Sequence, residues 1–164
     1  MTSSNSLLII PAKSNSSRVP RKNFRPFYNN LSLVDIAAQS ALDANLNIPI
    51  IVSTNNLDYR HQNSSINVLY RDDNLSLFET PIVDVLKNIL LSDDIYNDLD
   101  HIILMQPTSP FRSAEDIQSF VSFAQQCHAR HAAAFDQSCS VFSSYRVEDA
   151  HPARAATHKH HKPR

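Results

Sequence analysis

Apolar and polar positions fall along this chain in blocks whose period switches between that of a strand and that of a helix. Leu7-Leu8-Ile9-Ile10 is an unbroken apolar run, as in a strand buried on both faces, and Pro11 is expected to end it. A polar leader, residues 1–6, precedes the run and is expected to fray. From Leu33 to Ala44 the period lengthens, and Leu33, Ile36, Ala37, Ser40 and Ala41 share one helical face. Pro49 to Ser53 predicts a second strand, and Asn67 to Tyr70 a shorter third. Thr80 to Leu91 predicts a second helix, with Ile82, Val83, Leu86, Ile89 and Leu90 on its apolar side. His101 to Gln106 is the clearest strand. Ser113-Ala114-Glu115-Asp116 has the form of a capping box with Asp in the Glu/Gln place, opening a helix to about Gln126. Ala132 to Phe135 and Cys139 to Phe142 are candidate late strands.

Strands alternating with helices predict an α/β fold: a mainly parallel sheet flanked by helices in a Rossmann-like, three-layer architecture. One domain is expected, residues 7–154, followed by a basic, His-rich tail, residues 155–164, without apolar periodicity and expected to be disordered. In open parallel sheets ligands bind beyond the C-terminal strand ends. Three polar clusters follow strands directly: Lys13 to Asn23, Ser53-Thr54-Asn55, and Gln106 to Arg112. The topology predicts that they meet on one rim.

Composition narrows the chemistry. The chain has 164 residues and a formal net charge of -1, from 15 basic and 16 acidic side chains. That balance provides no overall field for nucleic acid or an anionic membrane, so an anion must be held by a local cluster of cations. Two cysteines, Cys127 and Cys139, and no secretory signal or apolar run of membrane length fit a cytoplasmic protein. Glycine is absent, where a domain of this size would usually hold about a dozen. Walker and Rossmann glycine fingerprints are therefore excluded. Asn or Asp must cover most positive-φ positions, and Tyr28-Asn29-Asn30 and Thr54-Asn55-Asn56 are the expected places.

Lys13 to Asn23 carries four cations in eleven residues, interleaved with hydroxyls and an amide. A triphosphate needs that mixture, charge to neutralise it and donors to fix its oxygens. The same composition also fits a solvated basic loop. Gln106-Pro107-Thr108-Ser109-Pro110-Phe111-Arg112 can likewise be read as a Pro-shaped turn with a capping Ser109. Cys127-His128 with His131 places a thiol and imidazoles about one helical turn apart, but a structural zinc site normally needs four ligands. His158, His160 and His161 belong to the tail.

The segment from Ile10 to Asn23, IPAKSNSSRVPRKN, resembles the opening signature of the acylneuraminate cytidylyltransferases, or CMP-sialic acid synthetases, approximately I-P-A-R-x-G-S-K-x-x-x-x-K-N. Gln106 to Arg112, QPTSPFR, is similar to the same family's Q-P-T-S-P-L-R. Val52 to Asn55 resembles its V-S-T-D strand end, Arg71-Asp72 an R-P or R-D pair, and Glu148 to Arg154 a late E-D-x-H-P-x-R stretch. The likeness runs over about residues 7 to 154. Lys13 stands where the family has Arg, Asn15 where it has Gly, Ser17 where it has Lys, and Asn55 where it has Asp.

The resemblance implies a reaction in which the anomeric hydroxyl of a nonulosonic 2-keto sugar acid attacks the α-phosphorus of CTP, releasing pyrophosphate with Mg²⁺ assisting. It implies catalytic roles for Lys13, Arg18 and Lys22. Nucleotide contacts would come from Pro11, Ala12, Lys13, Ser14, Asn15, Ser16, Lys22, Asn23, Arg71 and Thr80. Gln106, Thr108, Ser109 and Arg112 would face the sugar acid. The family is usually homodimeric and continues beyond the region matched to Arg154. The chain is therefore expected to be C-terminally truncated, without the late acidic metal ligand. The alternative to an active enzyme is an inactive fragment that at most binds CTP.

Overall fold

A computed structural model describes residues 5–92, 99–126, 131–133 and 142–146. Its main sheet has six strands in the order β5-β4-β1-β6-β8-β7, formed by β1 (Ser6–Ala12), β4 (Ile50–Thr54), β5 (Ile66–Tyr70), β6 (His101–Met105), β7 (His131–Ala133) and β8 (Phe142–Arg146). β5, β4, β1 and β6 are parallel, whereas β8 runs antiparallel to both β6 and β7. A small antiparallel hairpin, β2 (Pro26–Tyr28) and β3 (Leu31–Ser32), stands apart from the sheet.

The unbroken apolar run produces a strand because both faces of β1 are covered. Leu8, Ile10 and Ala12 point towards α1 (Leu33–Asp43) and α3 (Ala114–Gln126), while Leu7 and Ile9 point towards α2 (Ile82–Leu90). Period-2 alternation thus divides one strand between two cores, and the helices form the outer layers of a three-layer sandwich. Fully burying one Leu or Ile side chain stabilises the fold by about 1.5–3 kcal/mol before the entropy of ordering is counted.

Pro11 does not end β1. The strand continues to Ala12, pairing Pro11 with Ser53 and Ala12 with Thr54 on β4. The reason lies in which way each residue's backbone points. The Leu8 amide donates towards β4, to the Pro49 carbonyl at 3.0 Å, so alternate residues, Pro11 included, present their backbone to β6. Pairing with β6 has already stopped at Ile9 and Leu104, and the proline's missing N–H falls where no bond was needed.

The strand also starts one residue earlier than expected. Ser6 belongs to β1 and is 2% exposed. Asn5 donates its amide to Asp100 Oδ2 at 3.0 Å, so the expected fraying does not reach these two residues. The α2 helix begins at Ile82 with Pro81 at its N-cap, two residues later than expected. Of the late strands, β7 begins at His131 and β8 at Phe142. The rest of the two expected segments, the Cys127-His128 pair, the Glu148 to Arg154 stretch and the tail lie outside the described residues.

Asparagine does much of the work of the missing glycine. Asn29 and Asn30 have φ of 47° and 61° and make the two-residue turn between β2 and β3, a combination characteristic of a type I′ hairpin. Asn45 has φ of 47° immediately after the Ala44 C-cap of α1, where glycine is the usual choice. Asn55 and Asn56 are not in the left-handed region; they act through side chains. The unexpected member is Arg21, at φ 51° in the cationic loop.

Candidate active site

The chain leaves β1, builds β4 and β5 on one side of it, then crosses back to β6 on the other. Between β1 and β6 the direction of winding reverses, and beyond the carboxyl ends of such strands a crevice opens. A cavity of 270 Å³ lies there, with Pro11 and Lys13 from the end of β1 and Gln106, Pro107 and Thr108 from the end of β6. Ser16, Lys22 and Asn23 reach it from the cationic loop, and Arg71 and Thr80 from the segment after β5. A second cavity of 400 Å³ adjoins it along the loop, lined by Ser14, Asn15 and Ser17, and shares Lys13 and Ser16 with the first. Two larger clefts, 570 and 610 Å³, hold none of Lys13, Lys22, Arg71 or Gln106.

Two amides fold the cationic loop over the strand ends. The Asn23 Nδ2 donates to the Lys13 carbonyl at 3.0 Å and so closes the loop. The Ser14 amide donates to Asn55 Oδ1 at 2.8 Å, and Asn55 Nδ2 donates to Asp73 Oδ1 at 2.7 Å. Asn55, standing where the resembling family has Asp, therefore ties the loop to the 3₁₀ turn Asp73–Ser76. An aspartate there would lack the donor for the second bond.

Arg71 is the most buried of the cations that line the cavity. It is 8% exposed. Its Nε donates to Ser76 Oγ at 2.9 Å, and its Nη1 to the Ser53 hydroxyl and carbonyl at 3.2 and 3.3 Å. Burial pushes the guanidinium down to about 10, so it remains charged at pH 7. Among the described residues no carboxylate comes within ion-pair distance of Arg71, Lys13 or Lys22; the ion pair formed there is Lys87 with Asp84, on α2. A buried charge without a counter-charge is costly, and an anionic ligand relieves that cost. Asn23 supplies a second unmet demand: it is 6% exposed and its Oδ1 accepts no hydrogen bond. Buried acceptors are normally satisfied.

The remaining expected residues stand elsewhere. Ala12 is buried in β1, Arg18 is exposed, and neither Ser109 nor Arg112 lines the cavities around the loop. Arg112 is 6% exposed and donates through Nη2 to the Gln106 carbonyl, so it shapes the turn that carries Gln106. Position 15, a glycine in the resembling family, has no positive φ here and needs no glycine for its backbone. Sequence reasoning missed Ser76, Leu77 and Phe78, which wall both cavities. Their signal was an apolar pair in a polar stretch immediately before a helix.

Among the described residues no group of three potential metal ligands occurs, and no carboxylate lines either cavity around the loop. What the chain itself brings to the site is positive charge and hydrogen-bond donors.

A family profile described as cytidylyltransferase matches residues 7–162, nearly the whole sequence. The chain belongs to the cytidylyltransferase family. The match extends past Arg154, where the resemblance in the sequence was expected to stop, into the basic tail. As a member of that family the protein is a nucleotidyltransferase that uses CTP. A comparison with curated proteins finds no match.

Solved structures of this cytidylyltransferase fold are similar at low identity. CMP:2-keto-3-deoxy-manno-octonic acid synthetase complexed with CTP is 13% identical, with a TM-score of 0.63 over 90% of this chain and 76% of that one. The 2-C-methyl-D-erythritol 4-phosphate cytidylyltransferase of Francisella tularensis is 16% identical, with a TM-score of 0.62 over 95% of this chain and 79% of that one. Rv0371C from Mycobacterium tuberculosis H37Rv, in complex with manganese, is 12% identical, with a TM-score of 0.62 over 99% of this chain and 86% of that one. At these identities the likeness establishes the mainly parallel, helix-flanked sheet. No described helix is long and apolar enough to cross a membrane.

Proposed function

We propose that this cytidylyltransferase couples CTP to a sialic-type 2-keto sugar acid, forming a CMP-sugar and pyrophosphate. The observation that carries the reading is the buried Arg71, without a carboxylate partner among the described residues, in one cavity with Lys13, Lys22 and the unsatisfied Asn23 Oδ1. Such a pocket favours a polyanion that also carries donors, as a nucleoside triphosphate does.

The roles follow from position. Lys13 and Lys22 neutralise phosphate oxygens at the end of β1, where the backbone amides of residues 15 and 16 are the further candidate donors. Arg71 donates to the cytosine side, and Asn23 Oδ1 accepts from a ribose hydroxyl. Gln106 and Thr108, across the crevice, hold the sugar acid so that its anomeric oxygen stands in line with the bond that breaks. The new bond forms to the α-phosphorus as pyrophosphate leaves. Positioning and charge neutralisation supply the acceleration. Arg18 is available from the loop's exposed side for the departing pyrophosphate. Mg²⁺ is the expected cofactor of the family, and it would supply charge neutralisation at the phosphates; the second reading is a chain that binds CTP without turnover.

The deciding experiment is a pyrophosphate-release assay with CTP and Mg²⁺, offering N-acetylneuraminic acid, an eight-carbon 2-keto sugar acid and 2-C-methyl-D-erythritol 4-phosphate in parallel. Release with the nine-carbon acid alone supports the proposal. Release with either other acceptor reassigns the substrate. CTP binding without release leaves the second reading.

A further inference from the structure

Phe78 is a large aromatic side chain that is 78% exposed, beside Leu77 at 60%. Two adjacent exposed apolar side chains at a pocket wall are surface that a ligand can cover. Phe78 walls both the 270 Å³ cavity and the adjoining 400 Å³ cavity, so it stands between them. The Lys13 ammonium lies over its ring, 5.4 Å from the centroid, the geometry of a cation–π contact.

The backbone that carries Phe78 is fixed at both ends. On one side Ser76 Oγ accepts from Arg71 Nε at 2.9 Å. On the other, Thr80 Oγ1 donates to the Asn74 carbonyl at 2.9 Å, and the Thr80 amide to the Leu77 carbonyl at 3.4 Å. Phe78 is therefore held two residues from the hydroxyl that anchors Arg71. Arg71 and Phe78 line the same cavity, so one planar ligand can meet both.

From this arrangement we propose that Phe78 is the stacking platform for the pyrimidine ring of the nucleotide, with Lys13 resting on it while the phosphate position is empty. The proposal rests on the reading that this cavity takes CTP. Aromatic–base stacking tolerates any planar base, so Phe78 contributes affinity, and Arg71 and Asn23 contribute choice. Lys13 cannot lie on the ring and serve the triphosphate at once. Nucleotide binding exchanges one partner for the other and frees the ring face for the base.

The chain contains no tryptophan, so Phe78→Trp introduces a single indole reporter at this position. Three probes are titrated into that variant, CTP, cytidine and inorganic tripolyphosphate, with calorimetry run on the same samples. The proposal predicts indole quenching by CTP and by cytidine, and from tripolyphosphate only the different, non-stacking response of an indole that has lost its Lys13 contact. In a second variant, Phe78→Ala, CTP affinity is expected to fall by about tenfold while tripolyphosphate affinity does not fall. Calorimetric CTP binding with no indole response, together with unchanged affinity in Phe78→Ala, overturns the stacking role and leaves the CTP site standing. No calorimetric CTP binding by the unsubstituted chain overturns both.

Discussion

The Nη1 of Arg71 donates to the hydroxyl of Ser53 at 3.2 Å, and this contact sets a cation from the end of β5 against the end of β4. Ser53 is fully buried in β4, so the guanidinium takes its position from the sheet. The site's charge is therefore placed before any ligand arrives, which removes part of the ordering cost of binding.

Arg71→Met tests that placement. The change relieves the desolvation of a buried charge but leaves the buried Ser53 and Ser76 oxygens without their donor, so a modest net loss of stability is expected. The same change removes the donors presented to the nucleotide. The expected outcome is a modestly lowered Tm with the chain still folded, together with roughly hundredfold weaker CTP binding, a loss of about 2.7 kcal/mol, measured by calorimetry. A lowered Tm with intact binding contradicts the role.

Lys22 and Arg112 are expected to separate. Lys22 lines the cavity and is half-buried, whereas Arg112 is buried and holds the Gln106 carbonyl. Lys22→Ala should weaken CTP binding with little change in Tm. Arg112→Ala should lower Tm and weaken acceptor binding through the loosened Gln106 turn, while CTP binding stays closer to its original strength. Thermal shift and separate titrations with each ligand check this pair.

The N-terminus of α1 offers a prediction on stability alone. Ser32 Oγ accepts from the Asp35 amide at 3.3 Å, and Asp35 Oδ2 accepts from the Ser32 amide at 3.0 Å, a reciprocal capping box. Ser32→Ala should cost about 1 kcal/mol and lower Tm by about 2–4 °C, without a specific loss of nucleotide binding. A change in CTP affinity without a change in Tm would argue against this assignment.

Tyr59 carries the pH dependence. Its hydroxyl donates to Asp35 Oδ1 at 3.0 Å; burial, then the Asp35 charge and this hydrogen bond, raise the phenol well above the usual tyrosine range. The unfolded chain loses this proton near pH 10, while the folded chain keeps it. The stabilisation is thus complete below pH 10 and declines as pH rises further. Tyr59→Phe should flatten that decline. Ultraviolet titration should show one of the five tyrosines still protonated when the exposed ones have ionised.

The sequence made the fold readable where burial was two-sided. The apolar runs at Leu7 and His101 belong to β1 and β6, and the helical period from Leu33 to α1, within a residue or two. Pro11 misled because a proline's effect depends on which neighbour its backbone faces, and the order of strands in a sheet is not written locally. The site was partly readable. Lys13, Lys22, Asn23, Arg71, Thr80, Gln106 and Thr108 do meet in one cavity. Arg112 is buried and donates to the Gln106 carbonyl of its own turn, a contact that residue type alone does not reveal. Asn23 Oδ1 and Phe78 stood out only once burial and exposure were known.

The most direct test of the account is pyrophosphate release by the full chain, followed continuously with CTP, Mg²⁺ and N-acetylneuraminic acid, beside its Arg71→Met variant. The account predicts release that requires both substrates and falls by about a hundredfold in the variant at subsaturating CTP, following the loss of CTP affinity. Absence of release by the unsubstituted chain, or equal release by the variant, contradicts it.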